Sequence, residues 1–264
     1  MAYRKIWWTD FSAAEFDNVD PQRTVAVLPV AAVEQHGPHL PVGTDSILNR
    51  GCLEMLIERA PAELDLRILP LEQVGKSNEH LFAKGTVTHR ATTLIESWTE
   101  IGLSVARAGV RKLVFVNSHG GNEEIMGIVA RELRVAAEML VVKTSWTRFP
   151  PPAGLISEDE RRLGIHGGDL ETSLMLHFRP ELVDMSKAEN FRSVAADNEA
   201  AFRYLRPTGT HAWSWTATDL NPAGVVGDAS IATAAKGRLI AEAEVAGMLE
   251  LLGEVARCAL PGRS

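Results

Sequence analysis

The most constraining feature of the sequence is the run from Thr24 to Val30, TVAVLPV, in which nothing after the threonine is polar. Strict alternation of apolar and polar residues would mark a strand with one wet face. An unbroken β-branched and apolar run predicts a strand buried on both faces, which needs helices above and below it. The rest of the chain supplies them. After the run comes a polar loop, Glu34 to Thr44, punctuated by Gly37, Pro38, Pro41 and Gly43. Asp45-Ser46 can then cap a helix running through Leu48, Leu53, Met55 and Leu56 to about Arg59. The same grammar recurs. Leu64 to Val74, Lys112 to Val116 and Met139 to Thr144 read as strands; Thr92 to Ala108, Glu123 to Ala137, Asp169 to Phe178 and Ile231 to Ala259 read as helices, the last long and amphipathic. Strands alternating with helices predict an α/β fold with a mostly parallel sheet sandwiched by helices.

Composition bounds the rest. With 264 residues, 45% hydrophobic and 23% charged, the chain is long enough to bury a full core, and one domain over 1–264 is expected. The stretch Arg148 to Ile165 carries three successive prolines and the cluster Glu158 to Arg162. It reads as an excursion over the ligand-binding face, because nothing after it would bury a core of its own. A formal net charge of -7 offers no basic footprint for nucleic acid or an anionic membrane. No apolar run reaches the roughly 18 residues of a membrane span. In Met1 to Asp10 the only apolar run is Ile6-Trp7-Trp8, too short for a signal-peptide core, so the cytoplasm is the expected compartment. Cys52 and Cys258 lie far apart without CxxC spacing, which argues against both a disulfide framework and a thiolate zinc site.

In open α/β sheets ligands bind just beyond the carboxyl ends of the strands. One loop there holds Glu34, His36, His39 and Asp45, a second places His119 directly after a strand, and a third segment runs from His166 through Glu171 to Thr172. In extended backbone the i, i+2 spacing sends Glu34 and His36 to one side. Asp45 has two oxygens with which to bridge two cations, and imidazole with carboxylate but no thiolate suits zinc, manganese or iron. Gly120 and Gly121 let the backbone turn sharply beside His119. Glu171 sits in the first turn of its helix, where the dipole favours a carboxylate. Each residue also has a plainer reading. Asp45 alone reads as a helix cap and Glu171 alone as a surface charge, while His39, His89, His177 and His211 read as structural. Together the loops make either a metal site or a charge network. Ser118 lacks a GxSxG elbow, and Gly120-Gly121 fits neither GxGxxG nor GxxxxGK[ST], so serine-hydrolase and nucleotide-binding readings fall behind.

The string Glu34-Gln-His36-Gly-Pro-His39-Leu-Pro-Val-Gly-Thr44-Asp45 resembles the first signature of the creatininase, or creatinine amidohydrolase, family. Asn117-Ser-His119-Gly-Gly-Asn122 resembles its second and His166-Gly-Gly-Asp-Leu-Glu171-Thr-Ser its third; Asn78-Glu79-His80 with Gly85-Thr86, and Asp219 to Asp228, also look familial. The resemblance spans nearly the whole chain, with the motifs in order. It implies a three-layer α/β/α sandwich, a homohexamer, and two divalent metal ions bridged by the aspartate and by a water that supplies hydroxide. Zinc is the expected metal, with manganese or iron as alternatives. Position by position, it implies Glu34, Asp45 and His119 around one ion, His36 and Asp45 at the other, and His166 as general acid/base.

One position departs. Creatininase itself has a glutamate ligand two residues beyond the second-motif histidine, where this chain has Gly121. Glu171 is the expected replacement, with Glu123 the second candidate, and the departure argues against creatinine as substrate. The implied activity is hydrolysis of a C–N bond, in an amide, cyclic amide or formamide of a small molecule. A C–C bond of a ring ketone, or a non-catalytic metal-binding member, are the alternatives. Trp146, Trp213, Trp215 and the Pro150 excursion are expected to form a pocket wall or a subunit contact.

Overall fold

The computed structural model describes residues 4–262; residues 1–3, part of the N-terminal stretch read above, and residues 263–264 lie outside it. Four parallel strands, β1 (Val25–Val30), β2 (Leu66–Ile68), β3 (Lys112–Asn117) and β4 (Leu140–Ser145), form a sheet in the order β2-β1-β3-β4. The helices are α1 (Thr44–Arg59), α2 (Ala91–Arg107), α3 (Glu123–Ala137), α4 (Glu158–Leu163), α5 (Asp169–Phe178), α6 (Ala195–Ala201), α7 (Ala217–Leu220) and α8 (Ala234–Arg257). A separate antiparallel pair joins β5 (Asn190–Phe191) to β6 (Gly227–Asp228).

Every residue of β1 and β3 is buried, as the opening run requires. Alternation divides them between two cores. Val25, Val27, Val114 and Val116 pack against α1 and α8 through Leu53, Leu56, Met248 and Leu252. Ala26, Leu28, Val30, Leu113 and Phe115 pack against α2 and α3 through Leu94, Trp98, Met126 and Leu133. The result is the three-layer α/β/α sandwich. Because α1 follows β1 on one face and α3 follows β3 on the other, the loops leaving these neighbouring strands diverge at their carboxyl ends, the place where open α/β sheets bind ligands.

Three expectations shift. The strand expected over Leu64 to Val74 is confined to Leu66–Ile68. Its register, Val27 against Ile68, would set Pro29 against Pro70 two residues on, and neither has an N–H to give. Pairing resumes only where the Glu72 N–H meets the Pro29 carbonyl at 3.0 Å. The last helix starts at Ala234 rather than Ile231, with Thr233 as its cap, because Ala229–Ile231 forms a 3-10 turn. The helix expected from Asp45 begins at Thr44, with Gly43 in the cap position and no side-chain cap. Asp45 is therefore not a cap; it is a buried carboxylate inside the first turn. Among the described residues, no helix is long and apolar enough to cross a membrane.

Candidate metal centre

The carboxyl ends of β1 and β3 collect side chains from two loops and the start of a helix. Glu34 and His36 leave β1, Asp45 enters from α1, and His119 follows β3. All four are buried. His119 Nδ1 lies 3.2 Å from Glu34 Oε1 and 3.6 Å from Asp45 Oδ2. His36 Nε2 lies 3.4 Å from Asp45 Oδ1 and 3.7 Å from Glu171 Oε2. Glu34, Asp45 and His119 thus form one group whose ligand atoms are close enough to hold an ion, and His36, Asp45 and Glu171 form another, with Asp45 common to both.

Backbone carbonyls aim the two rings. His119 Nε2–H donates to the Lys76 carbonyl at 2.7 Å, and His36 Nδ1–H faces the Glu34 carbonyl at 3.1 Å. Each bond turns the other nitrogen toward the carboxylates, where a cation would take the place of its proton. The loops themselves are fixed by amides. Asn117 Oδ1 accepts the His119 N–H at 3.0 Å, and Asn122 bonds both the Ala31 carbonyl and the Lys76 N–H. Gly121 is required here. A Cβ on it would fall 2.3 Å from the Lys76 oxygen and 2.5 Å from His119 Nε2.

Three atoms of the cluster, Glu34 Oε2, His36 Nε2 and Asp45 Oδ2, are buried without a hydrogen-bond partner. Their electrostatics match. Burial and the neighbouring Glu34 push Asp45 up to about 6. Burial would raise Glu34 too, but His119, His166 and His80 hold it well below the usual carboxylate range. Burial alone would lower His36 and His119; Asp45 acting on the first and Glu34 on the second raise both to about 10. The buried carboxylates therefore draw positive charge wherever they can.

The third motif closes the cluster. His166 Nε2–H donates to the Gln35 carbonyl at 2.8 Å, and its Nδ1 lies 3.6 Å from Glu34 Oε1. Burial and the charge on His36 hold its pKa down to about 4, so the ring is neutral. Glu171 Oε2 accepts the Gly167 N–H at 2.6 Å, which turns the carboxylate back over its own loop. Glu123, the second candidate for the missing carboxylate, bonds Ser145 and Lys143 instead and joins none of the groups. His39 is structural, as expected, tying the first loop to the third through Gly167 O and Thr172 Oγ1. Trp146 is not a pocket wall. It is buried in the core beside α1 and α8, with Nε1 on Asn49 Oδ1. Trp213 and Trp215 donate to Asn198 Oδ1 and the Pro207 carbonyl in the same surface segment.

Three residues of the site carry no role in the sequence reading. His80 Nε2 lies 3.5 Å from Glu34 Oε1; its segment looked familial, but nothing in its spacing assigns it a contact. Gln35 lies between two motif residues and bonds His80 and Gly224. Glu160 of α4 is buried, and its carboxylate accepts the Asp169 N–H at 2.7 Å and the Asp228 N–H at 2.9 Å. It packs between Gly164, Gly168 and Gly227, where any side chain would strike it, and so fixes the start of α5 that carries Glu171.

The family model for creatinine amidohydrolase matches residues 9–252. The chain is 34% identical over 234 residues to the mycofactocin precursor peptide peptidase of Mycobacterium tuberculosis (strain ATCC 25618 / H37Rv), spanning 83% of this chain and 80% of that one. It is 30% identical over 266 residues to the creatinine amidohydrolase of Pseudomonas putida, spanning 95% of each. Two solved structures share the fold at a TM-score of 0.75: a mutant creatininase of Zn-Zn type, 26% identical over 96% of this chain and 98% of that one, and a manganese creatininase, 25% identical over 95% and 98%.

Proposed function

The chain belongs to the creatinine amidohydrolase family, and on that premise we propose that it is a binuclear metal-dependent hydrolase that cleaves the C–N bond of an amide. The observation that carries this reading is the set of buried, partnerless atoms on Glu34, His36 and Asp45. Leaving even one buried polar atom unpaired costs about 1–3 kcal/mol. Three in one cluster of carboxylate and imidazole, with both rings aimed by carbonyls, fit a site for divalent cations. Glu34, Asp45 and His119 would hold one ion; His36, Asp45 and Glu171 would hold the other. Zinc is the first choice and manganese the second, in line with the related structures, and iron suits the same donors. When bound, such cations make water a stronger acid and draw electron density from a carbonyl.

His166 supplies the proton transfer. Its Nε2–H is committed to the Gln35 carbonyl, so the neutral ring presents its Nδ1 lone pair to the cluster. It takes a proton from the attacking water and returns it to the departing nitrogen. Relatives named for a peptide and for a cyclic amide both favour a C–N bond over the C–C bond of a ring ketone. Creatinine itself is disfavoured. A side chain at position 121 would meet the Lys76 carbonyl, and Glu171, 3.7 Å from His36 Nε2, would offer the carboxylate in its place. The same proposal takes 1–264 as one domain and a homohexamer as the assembly, which would cover the exposed Phe202, Tyr204 and Leu205.

The test is a screen of zinc- and manganese-loaded protein against short peptides, lactams, formamides and ring ketones. An amide substrate is expected, with His166→Ala lowering kcat about 100- to 10,000-fold. Activity on ring ketones alone, or activity indifferent to His166→Ala, would contradict the proposal.

A further inference from the structure

The side chain of Gln35 has no part in the proposed mechanism, yet it is buried at the centre of the site. Its amide is held in one orientation. Oε1 accepts from the Gly37 N–H at 2.9 Å, a group that can only donate; Nε2 donates to the Gly224 carbonyl at 2.5 Å, a group that can only accept. The second hydrogen on Nε2 is directed at His80 Nδ1, 2.9 Å away. An amide N–H at that atom requires a lone pair on it. Neutral His80 therefore carries its proton on Nε2, the nitrogen 3.5 Å from Glu34 Oε1.

The main-chain carbonyl of Gln35 does the opposite for His166. It takes the Nε2–H at 2.8 Å and leaves the lone pair on Nδ1, 3.6 Å from the same Glu34 oxygen. Two imidazoles whose centroids lie 4.4 Å apart thus face one carboxylate oxygen in opposite states, one as donor and one as acceptor.

We infer that Gln35 is a positioning residue that sets opposite tautomers on His80 and His166, making His80 a fixed N–H donor to Glu34 rather than a metal ligand. Its consequence rests on the proposed metal site, but its geometry does not. The distinction matters because Glu34, Glu79 and His80 also have ligand atoms close enough to hold an ion. For Nε2 to ligate, the proton of the neutral ring would have to move to Nδ1, and the Gln35 N–H facing that nitrogen opposes the move. With its Nε2–H facing Oε1 at 3.5 Å, His80 favours that oxygen's position and leaves the partnerless Oε2 for the cation.

The experiment is long-range proton–nitrogen NMR of ¹⁵N-histidine-labelled protein near neutral pH, first metal-free and then with zinc, with His80→Gln and His166→Ala used to assign the two rings. The expected spectrum shows His80 protonated at Nε2 in both states, with no ligand-type shift of that nitrogen on adding zinc. Gln35→Glu, which replaces the donor with an acceptor, is expected to move a proton onto His80 Nδ1 while His166 keeps its state. A wild-type His80 protonated only at Nδ1, or a His80 Nε2 that binds zinc, would overturn the inference. The wild-type spectrum reads the tautomer without activity or metal. A chain that shows the expected tautomer but takes up no zinc would sink the metal reading alone; one that takes up zinc with the reverse tautomer would sink this inference alone.

Discussion

Lys112 opens β3 and His119 follows its end, yet the charge buried at these two places is treated in opposite ways. The Lys112 ammonium has three protons, and three carbonyls at the carboxyl end of α8 accept them: Val255 at 3.0 Å, Ala256 at 2.8 Å and Cys258 at 2.6 Å. The helix dipole favours a cation there as well. That end of the sheet is complete within the chain. At the other end, Glu34 and Asp45 lie together with one oxygen each unpartnered, and their charge is balanced only by drawing protons onto His36 and His119. A buried charge with all its partners belongs to the architecture. A buried cluster with orphaned atoms is built for something that arrives later.

The largest effect expected from this contrast is at Lys112. Lys112→Met should cost about 4 kcal/mol of stability by leaving the buried Val255 carbonyl and the part-buried Ala256 and Cys258 carbonyls without their charged donor, while metal content stays unchanged. Thermal melting beside metal analysis checks both halves, and a variant that keeps its stability would break the comparison. Glu244 of α8 shows a third treatment. It is buried with the Cys52 thiol donating to it at 3.7 Å, and burial, with the Glu171 charge adding to it, raises its pKa to about 8, so the carboxyl stays neutral. The folded state binds this proton more tightly than the unfolded chain, so stability is lost as pH rises from the ordinary carboxyl range through about 8. Glu244→Gln should match the parent in acid and exceed it by a few kcal/mol at alkaline pH. Parallel pH–stability curves would refute this assignment. The smallest effect is at Gly121. Gly121→Ala must displace the Lys76 carbonyl, at a cost of about 1–2 kcal/mol. That carbonyl orients His119, so metal affinity should fall about 10- to 100-fold. Affinity that is unchanged by calorimetry would show that the carbonyl does not set the ring.

What the sequence made legible follows the same division. The strand at Thr24 to Val30 and the helices Glu123–Ala137 and Asp169–Phe178 are read correctly because periodicity and burial are local properties. Glu34, His36, Asp45, His119, His166 and Glu171 were visible because loops after buried strands concentrate chemistry, and the structure brings all six together. The supporting residues were not visible. Gln35 bonds Gly224 across 189 positions, and Glu160 bonds Asp228 across 68, so no spacing rule reaches either. Asp45 looked like a cap because a single sequence cannot tell the first turn of a helix from the residue before it. Trp146 looked like a pocket wall or a subunit contact and is neither, being in the core, because aromatic character does not reveal which face of the sheet a side chain joins. The strand at Leu64 ran too long because Pro70 stops the ladder only through its pairing with Pro29, a contact between distant segments.

The central claim is that the buried cluster is a two-ion site shared through Asp45, and metal analysis of the purified protein tests it most directly. After loading with zinc and removal of excess, two ions per chain are expected in the parent, one in Glu171→Ala, and one or none in Asp45→Ala, with all three proteins folded by circular dichroism. A parent chain that stays metal-free after reconstitution, or an Asp45→Ala variant that still holds two ions, would contradict it.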